Sequence, residues 1–364
     1  MPFPRKLGPL RLLFLSLSAL LLAANLSSAA TVRSSKPSAA DLQDQPLGGK
    51  APVLIHIGLY VAELPMVNEP SEDFELQGYL YASWHDDRLV SRDNRQAGKT
   101  HQLDPAAVWN PELDMVNART FRSFRHSFLA YPDGTVLWEE RFDAVLSNQY
   151  FLRGFPFDMQ LLEIKVQPVT SPERPQEALI EFADEDYATG INPDAYLAAW
   201  EIDHLAYALR SAPIGDAGAV VPQARFEILV KRRSGFYVWK VFLPIFLMVL
   251  VPWSVFWVST KEFDWQMKIP IAIMLAMVAF EYSISWDLPR ISYITFLDAV
   301  FLTSFAFTFL TTVEITAVHV LIMREMLPVA EKIQRSSRWL FPLAYLLVLL
   351  LLVLLFFGGR GRPQ

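Results

Sequence analysis

The chain has 364 residues, of which 52% are hydrophobic, and it carries a net charge of −6 and no cysteine. The length fits two domains or slightly more, and the missing cysteines exclude disulfides and thiolate metal sites. Residues 31–235 hold 30 acidic against 19 basic side chains, a net of −11, which argues against a nucleic-acid partner and raises the local concentration of cations.

Residues 1–30 read as a secretory signal. Arg5, Lys6 and Arg11 form a basic start, 12–24 is an apolar run too short to span a bilayer comfortably, and Ser28, Ala29 and Ala30 supply small residues for cleavage. An uncleaved membrane anchor is the alternative, and either reading delivers the next domain across a membrane. Residues 31–50, rich in Ser, Ala, Pro and Gly, form a flexible lead-in.

Residues 51–234 read as all-β. The run 53–64 alternates, placing Val53, Ile55, Ile57, Leu59 and Val61 on one face. Further strands are expected over 74–84, 127–131, 135–146, 161–169, 178–182, 200–209 and 225–232. Turn signals at Pro132-Asp133-Gly134, Ser171-Pro172 and 215–218 separate some of them. Eight to ten short strands without an amphipathic helix between them predict an extracellular sandwich of immunoglobulin-like type.

Residues 235–357 change character. Four apolar stretches, about 236–259, 264–286, 291–323 and 339–357, are each long enough to cross a bilayer, which predicts a four-helix transmembrane bundle after the sandwich and a short tail over 358–364. Residues 324–338 are expected as a cytoplasmic loop whose Arg324, Lys332, Arg335 and Arg338 satisfy the positive-inside rule. The second stretch is unusual because it carries Asp264, Lys268 and Glu281. At 100° per residue, Asp264, Lys268, Ala272, Leu275, Ala279, Tyr282 and Trp286 fall within a stripe roughly 80° wide. Such a stripe suits a helix lining a water-filled pore or a buried bundle helix with awkward charges.

Several local motifs occur in a fixed order. They are Trp84-His85-Asp86-Asp87-Arg88-Leu89, then Val108-Trp109-Asn110-Pro111, the Pro132-Asp133-Gly134 turn followed by Arg141, and Phe155-Pro156-Phe157-Asp158-Met159-Gln160. Arg232, Tyr237 and Leu243-Pro244 come next at the start of the first span, and Leu288-Pro289-Arg290 with Tyr293 lie after the second. With an exported sandwich and four spans, this resembles the pentameric ligand-gated ion channels, particularly their cysteine-free bacterial branch. In animal relatives two cysteines close the Phe155–Gln160 loop, and the resemblance puts Asn148 and Leu162 at those positions.

The resemblance implies a homopentamer in a bacterial inner membrane, with the sandwich outside. It implies a pore lined by the seven stripe residues, with Leu275, Tyr282 and Trp286 as closing rings. Phe155, Pro156, Phe157, Asp158, Arg232, Leu288, Pro289 and Tyr293 would couple the sandwich to the spans, with Asp158 paired to Arg232. For Trp84 and Trp109, core packing is the preferred reading. Ligand-site candidates are Asp114, Tyr79, Tyr81, Gln167 and Tyr207, although the hairpin tip 212–222 has no aromatic and a conventional amine box is doubtful. His319 with Glu314 offers proton sensing, and Asp184, Glu185 and Asp186 a Ca²⁺ site, against the plainer reading of a solvated loop.

No cofactor is implied, and no nucleophile elbow, metal-ligand cluster, P-loop or dinucleotide fingerprint points to an enzyme. The expected partners are further copies of the chain, lipid, permeant inorganic ions, and an unknown small ligand or protons. Asp264 and the acidic domain favour monovalent cations, whereas Lys268 opposes them. An anion channel and a non-conducting receptor stay open as alternatives.

Overall fold

The computed structural model describes residues 42–46, 52–90, 99–169, 178–182, 189–214, 219–259, 262–284 and 291–358. Among these, twelve strands form two sheets. In chain order they are β1 (Val53–Glu63), β2 (Val67–Asn68), β3 (Asp73–His85), β4 (His101–Gln102), β5 (Leu113–Met115), β6 (Ala118–Ala130), β7 (Thr135–Ser147), β8 (Met159–Pro168), β9 (Ala178–Phe182), β10 (Gly190–Ile191), β11 (Trp200–Ile214) and β12 (Ala219–Arg232). The larger sheet runs β10-β1-β3-β7-β6-β4, with β2 also on β3 and β9 also on β1, and the smaller runs β11-β12-β8-β5. β9 and β10 join β1 in parallel, while the long neighbours pair antiparallel.

The two sheets are held by the faces that alternation assigns inward. Val53, Ile55, Ile57, Leu59 and Val61 of β1 are buried, and Leu162, Ile164 and Val166 of β8 with Phe226, Ile228 and Val230 of β12 close the core from the smaller sheet. Each such side chain contributes about 1.5–3 kcal/mol on burial. Trp84 and Trp109 meet edge to face at 5.8 Å in a satellite core with Phe128. The β6–β7 hairpin turns on Gly134, whose φ of 91° suits glycine. There Asp133 accepts from the Thr135 amide at 3.0 Å and from its hydroxyl at 3.0 Å.

β6 is longer than expected. It starts at Ala118, nine residues before the predicted 127, and its first half is exposed at nearly every position. Period-2 hydrophobicity arises only where one face is packed, so this half carries no such signal. Bulges at 118/120 and 123/125 further disturb its pairing with β7.

Among the described residues four long helices follow: α1 (Gly235–Trp257), α2 (Phe263–Ile284), α3 (Phe296–Met323) and α4 (Leu327–Phe357), each long and apolar enough to cross a membrane. α1 contains a π-helical turn at Val238–Phe242 and ends in a 3₁₀ turn. α3 packs against the other three. It starts at Phe296 rather than 291, because the Thr295 hydroxyl and Asp298 carboxylate form a capping box there. The fourth helix differs most from expectation. It begins at Leu327, twelve residues before 339, and takes in most of the segment expected as a loop. The connection is a tight turn in which Glu325 has φ 61°, and Ala330, Gln334 and Ser337 then bury one face at helical spacing.

Polar side chains tie the bundle together. Arg338 Nε donates to the Phe256 carbonyl at 2.9 Å, Gln334 Nε2 to Val258 at 2.9 Å, and Gln266 Nε2 to Val258 and Ser259 at 3.2 Å each. The carbonyls left unpaired at the end of α1 are thus satisfied by α2 and α4. Exposed Trp257, Trp265 and Trp339 cluster at this end, and exposed Trp239 marks the start of α1. Trp239 and Trp257 are separated by about 27 Å at 1.5 Å per residue, close to the thickness of a hydrocarbon core.

One close approach makes the sandwich testable. A Cβ on Gly78 would lie 2.5 Å from the Tyr60 carbonyl oxygen, whereas one on Gly190 meets nothing nearer than 3.9 Å. Gly78→Ala is expected to destabilise the protein by about 1–3 kcal/mol through overpacking and Gly190→Ala to be near neutral, as read by thermal unfolding in detergent.

Candidate functional site

Where β12 runs into α1, the chain must carry charge past a greasy boundary. Arg232, the last residue of β12, is almost fully buried, as is Asp158 just before β8. The structure brings them together: Arg232 Nε donates to Asp158 Oδ1 at 2.8 Å and Nη2 to Oδ2 at 3.2 Å, while Nη1 pairs with Glu69 Oε1. Gln160 Nε2 donates to Asp158 Oδ2. The guanidinium lies between two rings, 4.7 Å from Phe155 and 4.0 Å from Trp200. Burial opposes its charge, but the hydrogen bonds and attraction from Asp158, and then Glu69, outweigh it and hold its pKa above the ordinary arginine value. Glu69 and Trp200 were not foreseen as partners, since they come from distant stretches with no shared local signal, and Gln160, although inside the motif, was given no role.

The loop before β8 grips the spans. The Phe155-Pro156 peptide is cis. The Phe296 amide donates to the Arg153 carbonyl at 3.0 Å and the Leu297 amide to Phe155 at 3.2 Å, so the loop satisfies the open N-terminus of α3. Phe155 meets Tyr237 of α1 edge to face at 4.8 Å. Phe157 packs on Phe242, Phe296 and Phe357, touching α1, α3 and α4. Tyr293 accepts from the Leu152 amide at 3.0 Å and lies against Phe151. The sequence placed the loop's pressure on 288–293. Leu288 and Pro289 lie outside the described residues, and the direct backbone bonds to α3 were missed. Asn148 Oδ1 accepts from the Glu163 amide at 3.1 Å, next to Leu162.

α2 has one buried face, formed by Gln266, Pro270 and Met277. At 100° per residue the stripe lies about 180° away. Asp264, Lys268, Ala272, Leu275, Ala279 and Tyr282 are all exposed, Leu275 at 70% and Tyr282 at 66%. Trp286 lies outside the described residues. Among the described residues no ion pair joins Asp264 to Lys268 within one chain; the Lys268 ammonium stands 5.5 Å from the Trp265 ring centroid.

The remaining candidates scatter. Asp114 and Gln167 are cross-strand partners on β5 and β8, and Gln167 Oε1 accepts from Gln223 at 2.9 Å. Tyr79 and Tyr81 stack at 6.3 Å on the outer face of the other sheet, with Arg141 over Tyr79. Burial, and then Glu139, push the Tyr81 phenol above its ordinary pKa. Tyr207, on β11 at the far edge from β5, rests on Phe182 at 4.5 Å. Within one chain these five do not converge. Nor do Glu314 and His319, because a spacing of five turns them about 140° apart. Glu314 faces Ser337 of α4, with Oε1 buried and unpaired, while His319 stacks on Phe263 of α2 at 3.9 Å. Asp184, Glu185 and Asp186 lie outside the described residues. A cavity of about 400 Å³, unforeseen, opens between the 191–197 loop and the start of β11, lined by Tyr196, Trp200, Asp203, His204 and Arg233.

The buried ion network carries its own test. Arg232→Gln leaves Asp158 and Glu69 without their cation and is expected to cost about 3–5 kcal/mol, seen as a lower unfolding midpoint. Adding Asp158→Asn should cost less than the sum of the single changes, because both act on one network; strict additivity would show that they do not.

Comparison with known proteins agrees with this geometry. Residues 41–233 match the family described as the neurotransmitter-gated ion-channel ligand binding domain. A proton-gated ion channel from Gloeobacter violaceus is 27% identical over 308 residues, 84% of each chain. The human gamma-aminobutyric acid receptor subunit rho-2 is 23% identical over 311 residues, covering 83% of this chain and 64% of the receptor subunit. With a two-sheet sandwich leading into four membrane-length helices, the chain belongs to the neurotransmitter-gated, or pentameric ligand-gated, ion channel family.

Proposed function

We propose that five copies of the chain form a gated channel for monovalent cations in a bacterial inner membrane, with the sandwich on the periplasmic side. The observation that carries this reading is the polarity of α2: its stripe from Asp264 to Tyr282 is exposed while the opposite face is buried in the chain's own bundle. Around a fivefold axis each stripe residue becomes a ring. Leu275 and Tyr282 are the levels at which large side chains close a pore by blockage or dewetting, and Trp286 adds a third by its position in the sequence. Asp264 would draw cations to the inner mouth, and the acidic outer domain enriches them at the other. The basic residues Arg324, Lys332, Arg335 and Arg338 near the α3–α4 turn support the orientation.

Coupling would run through Asp158 and Arg232, and through Phe155, Pro156 and Phe157 against the start of α3 and Tyr293. The relative from Gloeobacter is named as proton-gated, which makes the proton the first ligand to try, followed by divalent cations and amines. Recording from purified protein in planar bilayers, with steps from neutral to about pH 4.5 and then calcium and amines, is expected to show current. Silence throughout would favour a non-conducting receptor.

Leu275→Ser is expected to raise basal leak or shift activation to weaker stimuli; an unchanged channel would remove Leu275 from the gate. Anion conduction is the second reading, favoured by Lys268 on the stripe. A wild-type reversal potential near that of chloride in a salt gradient would establish it and overturn the cation reading.

A further inference from the structure

Lys268 is the one cation on the α2 stripe, and a ring of like charges there opposes cation entry. Its surroundings on α2 change that expectation. The Lys268 Nζ lies 5.5 Å from the centroid of the Trp265 ring, three residues earlier on the same helix. This is within the distance at which an ammonium is drawn to an indole face. Trp265 is 64% exposed, and at 100° per residue it stands about 60° to the side of the stripe's centre, where Lys268 itself sits. The lysine stem is long and flexible, so its head can be led away from the direction in which its Cα points. Among the described residues no ion pair joins Asp264 to Lys268, so the Asp264 carboxylate is not consumed in neutralising the ammonium.

We infer that Trp265 sets the ion preference of the channel by drawing the Lys268 ammonium sideways onto its ring, which leaves Asp264 as the charge a permeating ion meets at the inner mouth. This rests on the reading of α2 as the pore helix. Trp265 here is a positioning residue: it acts through Lys268 and need not touch the ion. An aromatic residue is suited to the task because it holds the ammonium without adding a charge of its own, whereas a carboxylate in its place would alter the field it controls.

The test is a mutant cycle in the full-length channel in planar bilayers, reading single-channel conductance and the reversal potential in a sodium chloride gradient. Trp265→Ala releases the ammonium toward the axis. The cation conductance is expected to fall about two- to fivefold, the range an exposed cation–π contact supports, and the reversal potential to move toward that of chloride. Trp265→Phe, which keeps a weaker ring face, should give an intermediate shift and keeps the cycle usable if the alanine variant does not assemble.

In a Lys268→Gln background, Trp265→Ala should have no further effect on either reading. An equal shift with and without Lys268 overturns the inference, as does the absence of any shift in the lysine background. Leu275→Ser, measured alongside, separates the two levels. If it changes gating while the tryptophan variants change nothing, the pore helix stands and the inference alone fails; if Leu275→Ser, Lys268→Gln and Trp265→Ala are all without effect, the pore reading fails with it.

Discussion

Arg232 leaves water at the point where the last strand becomes the first membrane span. A lone guanidinium there would be costly, and breaking a buried pair by removing one member costs several kcal/mol. The fold answers with partners from three separate parts of the chain: Phe155 and Asp158 from the cis-proline loop before β8, with Gln160 of that strand bracing Asp158, Glu69 from the β2–β3 connection, and Trp200 from the start of β11. Because each needs the others in place, the end of the sandwich is set as a unit. The same loop bonds through its backbone to the start of α3, so the unit continues into the helices without an intervening hinge.

Inside the bundle a related rule holds, because lipid cannot satisfy backbone polar groups. The carbonyls ending α1 are taken by Gln266, Gln334 and Arg338. Hydroxyls turn back onto their own helix, as Thr308 does to the Ser304 carbonyl at 3.0 Å, or cross to a neighbour, as Ser304 does to Tyr345 at 2.8 Å. Among the described residues of the bundle, Glu314 Oε1 and Trp253 Nε1 are the exceptions, buried with no partner. α2 gives Gln266 to this bonding and turns its polar and aromatic stripe away from the chain's own bundle, which fits a face meant for other copies and for water.

How far the sequence could be read depends on where each element packs. β1 was legible because one face is buried along its whole length. The first half of β6 was not, because water wets it on nearly every residue, and β2, β4, β5 and β10 are too short to show any period. The start of α4 was taken for a loop because Arg324, Lys332, Arg335 and Arg338 suggest solvent; the helical spacing of Ala330, Gln334 and Ser337 was the quieter and truer signal. Asp158 and Arg232 were found through motifs, whereas Glu69 sits in a turn that nothing local distinguishes from any other acidic turn. Glu314 and His319 were paired on spacing that a helix does not support. The interaction of Lys268 with Trp265, by contrast, lies at a helical spacing of three, and it was missed because Trp265 falls outside the stripe on which the reading of α2 rested.

The bonds from Gln266 to the end of α1 have a mechanical meaning. They tether α2 at its N-terminal end, close to Asp264. A rod held near one end moves as a lever. From Gln266 to Ile284, at 1.5 Å per residue, the arm is about 27 Å long, so each degree of tilt about the tether displaces the far end by roughly 0.5 Å and the anchored end hardly at all. About such a tether the widest excursions belong to the stripe residues farthest from Gln266, so in the proposed channel the level of Asp264 would hold its dimensions while those of Leu275 and Tyr282 shift.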